Sequence, residues 1–145
     1  MDVGPKSIKQ SMKDGEINTI TDVISIILNS IDVIQKVHNC NIVHNDLKMD
    51  NMIAQKNSSG RWDVKVIDFG LSYIDEDQKA DIKDQQFVHL YFAEIIQDFN
   101  FKIVFKQIEI SPKDRDRLDT LKAYTRDLCD EEINIVEYQA LLKTL

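Results

Sequence analysis

IVHNDLKMDN, residues 42–51, and VKVIDFGLS, residues 64–72, form the stretch that decides how this chain folds. The first part sets His44, Asp46, Lys48 and Asn51 at the spacing H-x-D-x-K-x-x-N, and the second places Asp68-Phe69-Gly70 at the end of an apolar run. Residues 51–55 read as a short strand, residues 56–60 as a polar loop of turn formers, and residues 62–68 as a second strand. In that strand Val64 and Val66 face one way while Lys65 and Ile67 face the other. The pair predicts a β-hairpin with a loop longer than the tight two-residue kind. Antiparallel pairing would bring Asn51 and Asp68, at its two open ends, to one edge.

Upstream, residues 19–39 carry the clearest helical pattern. Ile20, Ile24, Ile27, Ile31, Ile34 and His38 recur at alternating steps of four and three, a core-facing stripe. Thr19 is placed to cap the start, with Asp22 at the third helical position favoured by the helix dipole. Asn39 and Asn41 suit the exit. Residues 1–16 show turn chemistry, with Gly4-Pro5 and Asp14-Gly15.

Downstream, residues 75–86 are polar and read as a solvated linker or helix start. Residues 87–99 form an apolar-rich helical pattern with Leu90, Tyr91, Glu94, Ile95 and Asp98. Residues 99–110 are ambiguous, because Phe99, Phe101, Ile103 and Phe105 alternate as a strand would. Two helices are expected to close the chain. One is capped by Ser111 with Pro112 in its first turn and carries Leu118, Leu121 and Leu128. The other is expected to start at Asp130, with Glu131 and Glu132 in its first turn and Ile133, Leu141 and Leu142 as apolar contacts. The fold class that follows is mainly α with a small β-hairpin, an α+β arrangement.

The bulk numbers exclude several function classes. A chain of 145 residues, 43% hydrophobic and 30% charged, has the composition of a globular domain with a real core. A net charge of −7 and a pI near 4.9 argue against a nucleic-acid surface, which needs clustered Lys and Arg. Two cysteines, Cys40 and Cys129, are too few for a disulfide framework and read as reduced thiols. No signal-peptide pattern and no bilayer-length apolar run is present, so a soluble, cytoplasmic protein without a membrane partner is expected.

The motif residues carry a definite chemistry. Asp46 is a carboxylate able to accept or orient a hydroxyl proton. Lys48 can bring positive charge to a phosphate as it is transferred. Asn51 and Asp68 offer one neutral and one charged oxygen to Mg²⁺, which takes one or two carboxylates together with phosphate and water. His44 is expected to be a buried scaffold residue fixing the loop backbone and the loop that carries Asp68. Phe69 is expected to sit under the loop, and Gly70 to supply a backbone angle closed to other residues.

These residues, in this order, resemble the eukaryotic-type protein kinase signature, and Asp46-Leu47-Lys48 is similar to the wording of its serine/threonine branch. The resemblance implies a kinase C-terminal lobe spanning residues 1–145. Residues 1–18 would be a hinge-like start, residues 42–72 the catalytic and metal loops, and residues 84–145 a helical remainder. It implies catalytic roles for Asp46 and Lys48, cofactor contacts from Lys48, Asn51 and Asp68, and metal contacts from Asn51 and Asp68. ATP and Mg²⁺ are the implied cofactors, and phosphoryl transfer to protein serine or threonine the implied reaction.

The sequence also departs from the family. Its four glycines, Gly4, Gly15, Gly60 and Gly70, make no G-x-G, so the glycine-rich loop is not found and the upper lobe is expected from a partner chain or an upstream reading frame. Asn45 stands where the family carries an arginine that pairs with a phosphorylated activation loop. Only residues 71–83 separate Gly70 from Asp84, which would start the central lower-lobe helix and brace the catalytic loop. The activation segment is therefore abbreviated, as in compact kinases and small-molecule phosphotransferases. Lys48 favours the protein-kinase habit over the small-molecule one. The alternative is a pseudokinase-like module that binds another kinase or its substrate.

Overall fold

The computed structural model describes residues 5–145; residues 1–4, the front of the hinge-like segment, lie outside them. In order, the described chain forms β1 (Lys6–Ser7), α1 (Ile8–Lys13), α2 (Ile20–Asn39), β2 (Ile42–Val43), a 3₁₀ turn (Met49–Asn51), β3 (Met52–Lys56) and β4 (Trp62–Val66). It continues with β5 (Tyr73–Ile74), α3 (Ala80–Lys83), α4 (Gln85–Val104), α5 (Pro112–Cys129) and α6 (Ile135–Lys143). The fold is mainly helical with two small antiparallel sheets.

α2 is the spine. Thr19 Oγ1 accepts from the Asp22 amide at 3.0 Å and Asp22 Oδ2 accepts from the Thr19 amide at 3.3 Å, a capping box that satisfies donors left over at the helix start. Its isoleucine stripe is buried as the periodicity predicts. At the exit Asn41 takes a left-handed φ of 60°, and its amide donates to the His38 carbonyl.

The hairpin is β3 paired with β4, Met52 opposite Val66 and Lys56 opposite Trp62. Its loop closes on Asn57, whose Oδ1 accepts from Ser59 and Arg61 amides, and Gly60 supplies the φ of 84° that the turn requires. The hairpin is one part of a three-stranded sheet, because β1 pairs with β3 through Lys6 opposite Ala54. Residues 5–16 are thus more ordered than their turn chemistry suggests: Ser7 caps α1 by accepting from the Gln10 amide.

Side chains of α2 fasten the hairpin down. Asp22 Oδ1 accepts from Trp62 Nε1 at 3.0 Å and from Lys56 Nζ at 3.2 Å. Ser25 Oγ accepts from the Trp62 amide, and Asn29 donates to the Trp62 carbonyl. Burial opposes the Asp22 charge, yet the hydrogen bonds from Trp62, Asn18, Thr19 and Lys56 hold its carboxyl below the ordinary value.

α4 crosses beneath α2 and buries Val88, Tyr91, Phe92, Ile95, Ile96 and Phe99. Leu118, Leu121 and Leu128 of α5 and Tyr138 and Leu142 of α6 complete the core. The two buried tyrosine hydroxyls are paired, Tyr91 with Ser30 at 2.7 Å and Tyr138 with Thr125 at 2.9 Å. Among the described residues no helix is long and apolar enough to cross a membrane.

One sequence expectation is corrected and two open readings are resolved. The alternating residues 99–105 form no strand, and α4 runs on to Val104. The last helix starts at Asn134, whose side chain accepts from the Glu137 amide, whereas Asp130 is the C-cap of α5 and Glu131 turns the chain with a φ of 61°. Residues 75–86, read as a solvated linker or helix start, carry α3 and the start of α4, and Asp75 and Asp84 within them are buried.

Candidate functional site

The loop after β2 is held by one carboxylate. Asp84, fully buried at the start of α4, accepts from the His44 amide through Oδ2 and from the Asn45 amide through Oδ1, both at 2.8 Å. His38, near the end of α2, meets the same Oδ2 at 2.8 Å. Burial works against the Asp84 charge, but His38 and the two amides more than offset it and hold its carboxyl below the ordinary value. Asn45 adopts a left-handed φ of 70°, a conformation that asparagine tolerates well and arginine less well.

His44 is fully buried and works on both sides of the site. Its Nε2 meets the Ile67 carbonyl at 2.8 Å, and its Nδ1 accepts from the Asp46 amide at 3.2 Å. These contacts fix the neutral tautomer with hydrogen on Nε2. One imidazole therefore ties the Asp46 loop to the residue preceding Asp68, the scaffold role expected of it.

Asp46 and Asn51 meet directly. Asn51 Nδ2 donates to the Asp46 carbonyl at 2.8 Å and to Asp46 Oδ2 at 3.0 Å. Lys48 Nζ lies 3.7 Å from Asp46 Oδ1 and stays half-exposed, free to swing toward a ligand. Asn51 belongs to the 3₁₀ turn, one residue short of the strand predicted for it, and its carbonyl accepts from the Ile67 amide at 2.9 Å. That bond extends the hairpin ladder and sets Asp68 at the hairpin mouth beside Asn51, where antiparallel pairing was expected to put it.

Asp68 itself is exposed. It carries the left-handed φ of 60° anticipated for Gly70, which has no positive φ. A Cβ at Gly70 would lie 3.3 Å from Asp68 Oδ1, the atom that accepts from the Gly70 amide, a close approach that the exposed Asp68 side chain can relieve by shifting. Phe69 meets the His44 ring edge-on with centroids 5.0 Å apart but remains 43% exposed, so it is only partly tucked under the loop.

The donor set suits Mg²⁺. The amide oxygen of Asn51 accepts none of the hydrogen bonds among the described residues, and Asp68 offers an exposed carboxylate, both hard oxygen ligands. Among the described residues no cluster of three or more His, Cys, Asp or Glu could hold a metal. An ion here would take these two protein oxygens and fill its shell with phosphate and water.

Two supports went unread in the sequence. His38 counted only as a member of the α2 stripe, although its place four residues before Ile42 puts it beside the loop. Asp75 accepts from the Asp77 and Lys79 amides and from Lys83 Nζ at 2.6 Å, folding the short link between the Asp68 loop and α4. Its signal was an acidic residue followed by lysines four and eight positions on. Lys83, more than the cost of burial, pulls the Asp75 carboxyl below its ordinary value.

A catalytic-type loop braced from a central helix, facing an acidic loop across a hairpin mouth, is the lower part of a kinase-like fold. The family model of the protein kinase domain matches residues 3–102, and the chain belongs to that family. No curated protein matches the chain. The end of α4, with α5 and α6, lies beyond the matched residues.

Proposed function

We propose that this chain is the lower lobe of an ATP- and Mg²⁺-dependent kinase that phosphorylates serine or threonine in proteins. The observation that carries the reading is the Asp46–Asn51 pair. It stands on a loop braced by Asp84 and tied through His44 to the residue before Asp68.

In this reading Asp46 accepts the proton of the attacking hydroxyl and holds its oxygen in line with the γ-phosphorus. The new P–O bond forms as the bond to the β-phosphate oxygen breaks, and ADP leaves. Asn51 keeps the Asp46 carboxylate from turning away, through the bond to Oδ2. Lys48 swings from Asp46 to the transferred phosphate, where its charge is worth most as the transition state forms. Asn51 and Asp68 would hold Mg²⁺, which when bound neutralises charge on the phosphates. The grip on the nucleotide from above comes from an upper lobe outside this sequence, on the same polypeptide or on a partner chain.

The test is a thermal shift and a phosphate-transfer assay on the chain joined to a kinase upper lobe. Mg²⁺·ATP at a hundred times its Kd should stabilise by about 2.7 kcal/mol, and labelled phosphate should reach a protein hydroxyl. Asp46→Asn should abolish transfer while leaving the shift, and Asp68→Ala should remove the Mg²⁺-dependent part of the shift. No shift for the wild type ends the nucleotide reading. A shift without transfer, together with partner binding that survives both substitutions, marks an interaction module instead.

A further inference from the structure

Behind the catalytic loop parts of five helices, α2 to α6, line a half-open cavity of about 770 Å³. That volume suits a small molecule of drug-like size. Its wall is about half apolar and half polar. Phe92 and Leu128 represent the first kind, Gln35 and Asn134 the second. Ile82 and Val136 at the cavity are 61% and 64% exposed, apolar groups that solvent leaves uncovered.

The charge of the lining is one-sided. Among the described residues no Lys or Arg lines the cavity and Asp81 is its only carboxylate, and Gln85 in the wall lies 3.4 Å from Glu131. An anionic ligand would meet only neutral donors such as the Asn and Gln amides, whereas an amine or amidine would find a carboxylate.

The wall also includes His38. Its side chain is 9% exposed, and Nε2 spends itself on Asp84 Oδ2. That oxygen is the same one that accepts the His44 amide. Any tilt of the imidazole therefore changes the geometry at an atom that positions the catalytic loop.

The geometry points to a regulatory ligand site: the cavity binds a cationic molecule with an apolar ring body, and the His38–Asp84 bond reports its occupancy to His44 and Asn45. Binding itself is independent of the phosphoryl-transfer reading, and only the consequence for turnover rests on it.

The test uses tryptamine, an indole bearing an ammonium group, with indole-3-acetate as the anionic counterpart on the same ring. Each is titrated into the whole chain while the His38 ring and the amides of His44 and Asn45 are followed by NMR, a readout that needs no activity. Tryptamine should give saturable shifts at all three positions and indole-3-acetate should bind more weakly. Asp81→Lys should weaken tryptamine by up to about fivefold, the range of an exposed ion pair. Val136→Trp, at an exposed position, should block the site and abolish the shifts. Absence of saturation, or binding indifferent to Val136→Trp, overturns the site. Equal binding of the two indoles overturns the ligand class. Shifts confined to the His38 ring overturn the link to the loop.

Discussion

The two loops of the candidate site are held in unequal ways. Residues 44–51 are locked by Asp84, His44 and Asn51, with nearly every polar contact inside the chain. Residues 68–72 lie largely in solvent, with Leu71 61% exposed. Their bonds are mostly local, as from Ser72 Oγ to the Phe69 carbonyl and from the Gly70 amide to Asp68. Asp68 also holds a backbone angle that costs about 1–3 kcal/mol. The loop proposed to orient the acceptor is preorganised by the fold, while the loop that would carry Mg²⁺ is held mostly by its own local bonds.

The contrast can be broken most forcefully at Asp84. Asp84→Ala leaves two buried amides and an imidazole without their acceptor, and should cost about 3–5 kcal/mol in urea unfolding. Asn51→Ala should cost less, about 1–2 kcal/mol, because the part-buried Asp46 carbonyl and carboxylate lose their donor. Acid should act on the locked loop in the same direction. A carboxyl held below its ordinary value in the fold stabilises fully above that value, and the contribution is lost as pH falls through the folded one. Asp84 and Asp22 share this sign. The urea midpoint should therefore fall as pH drops below about 4, and the drop should shrink in Asp84→Ala. Substitutions in the exposed loop should be nearly silent. Asp68→Asn, which keeps a residue that tolerates the left-handed angle, and Leu71→Ser should each stay within about 0.5 kcal/mol of wild type, and a larger loss in either would show that this loop is tied down after all.

The sequence revealed most where one residue type does one job over a short distance. Thr19 and Asp22 announce a capping box, Ser111-Pro112 announces a helix start, and the alternation of residues 62–66 announces a strand. The roles given to Asp46, Lys48, Asn51 and Asp68 came from the resemblance to the kinase signature, while the strand alternation made legible the hairpin that brings residues 51 and 68 to one end. Contacts set by tertiary packing were harder to read. Phe99 and Ile103 form one i,i+4 pair against the core, while Phe101 and Phe105 form another facing out, with ring centroids 6.1 Å apart. Interleaved, the two pairs imitate a strand. Asp130 resembled a helix start because acidic residues follow it, but the α5 hydrogen bonds reach it first and Asn134 takes the cap. β1 and β5, of two residues each, are too short for any periodicity and exist only through their partners.

Trp62 is the chain's one tryptophan, and it is 1% exposed with its indole N–H on Asp22. The protein therefore carries a built-in optical probe at the seam between hairpin and spine. Its emission should be short in wavelength while the hairpin sits on α2 and shift to the red when the seam opens to water. A fluorescence trace during unfolding would time the release of the hairpin from α2 without any label.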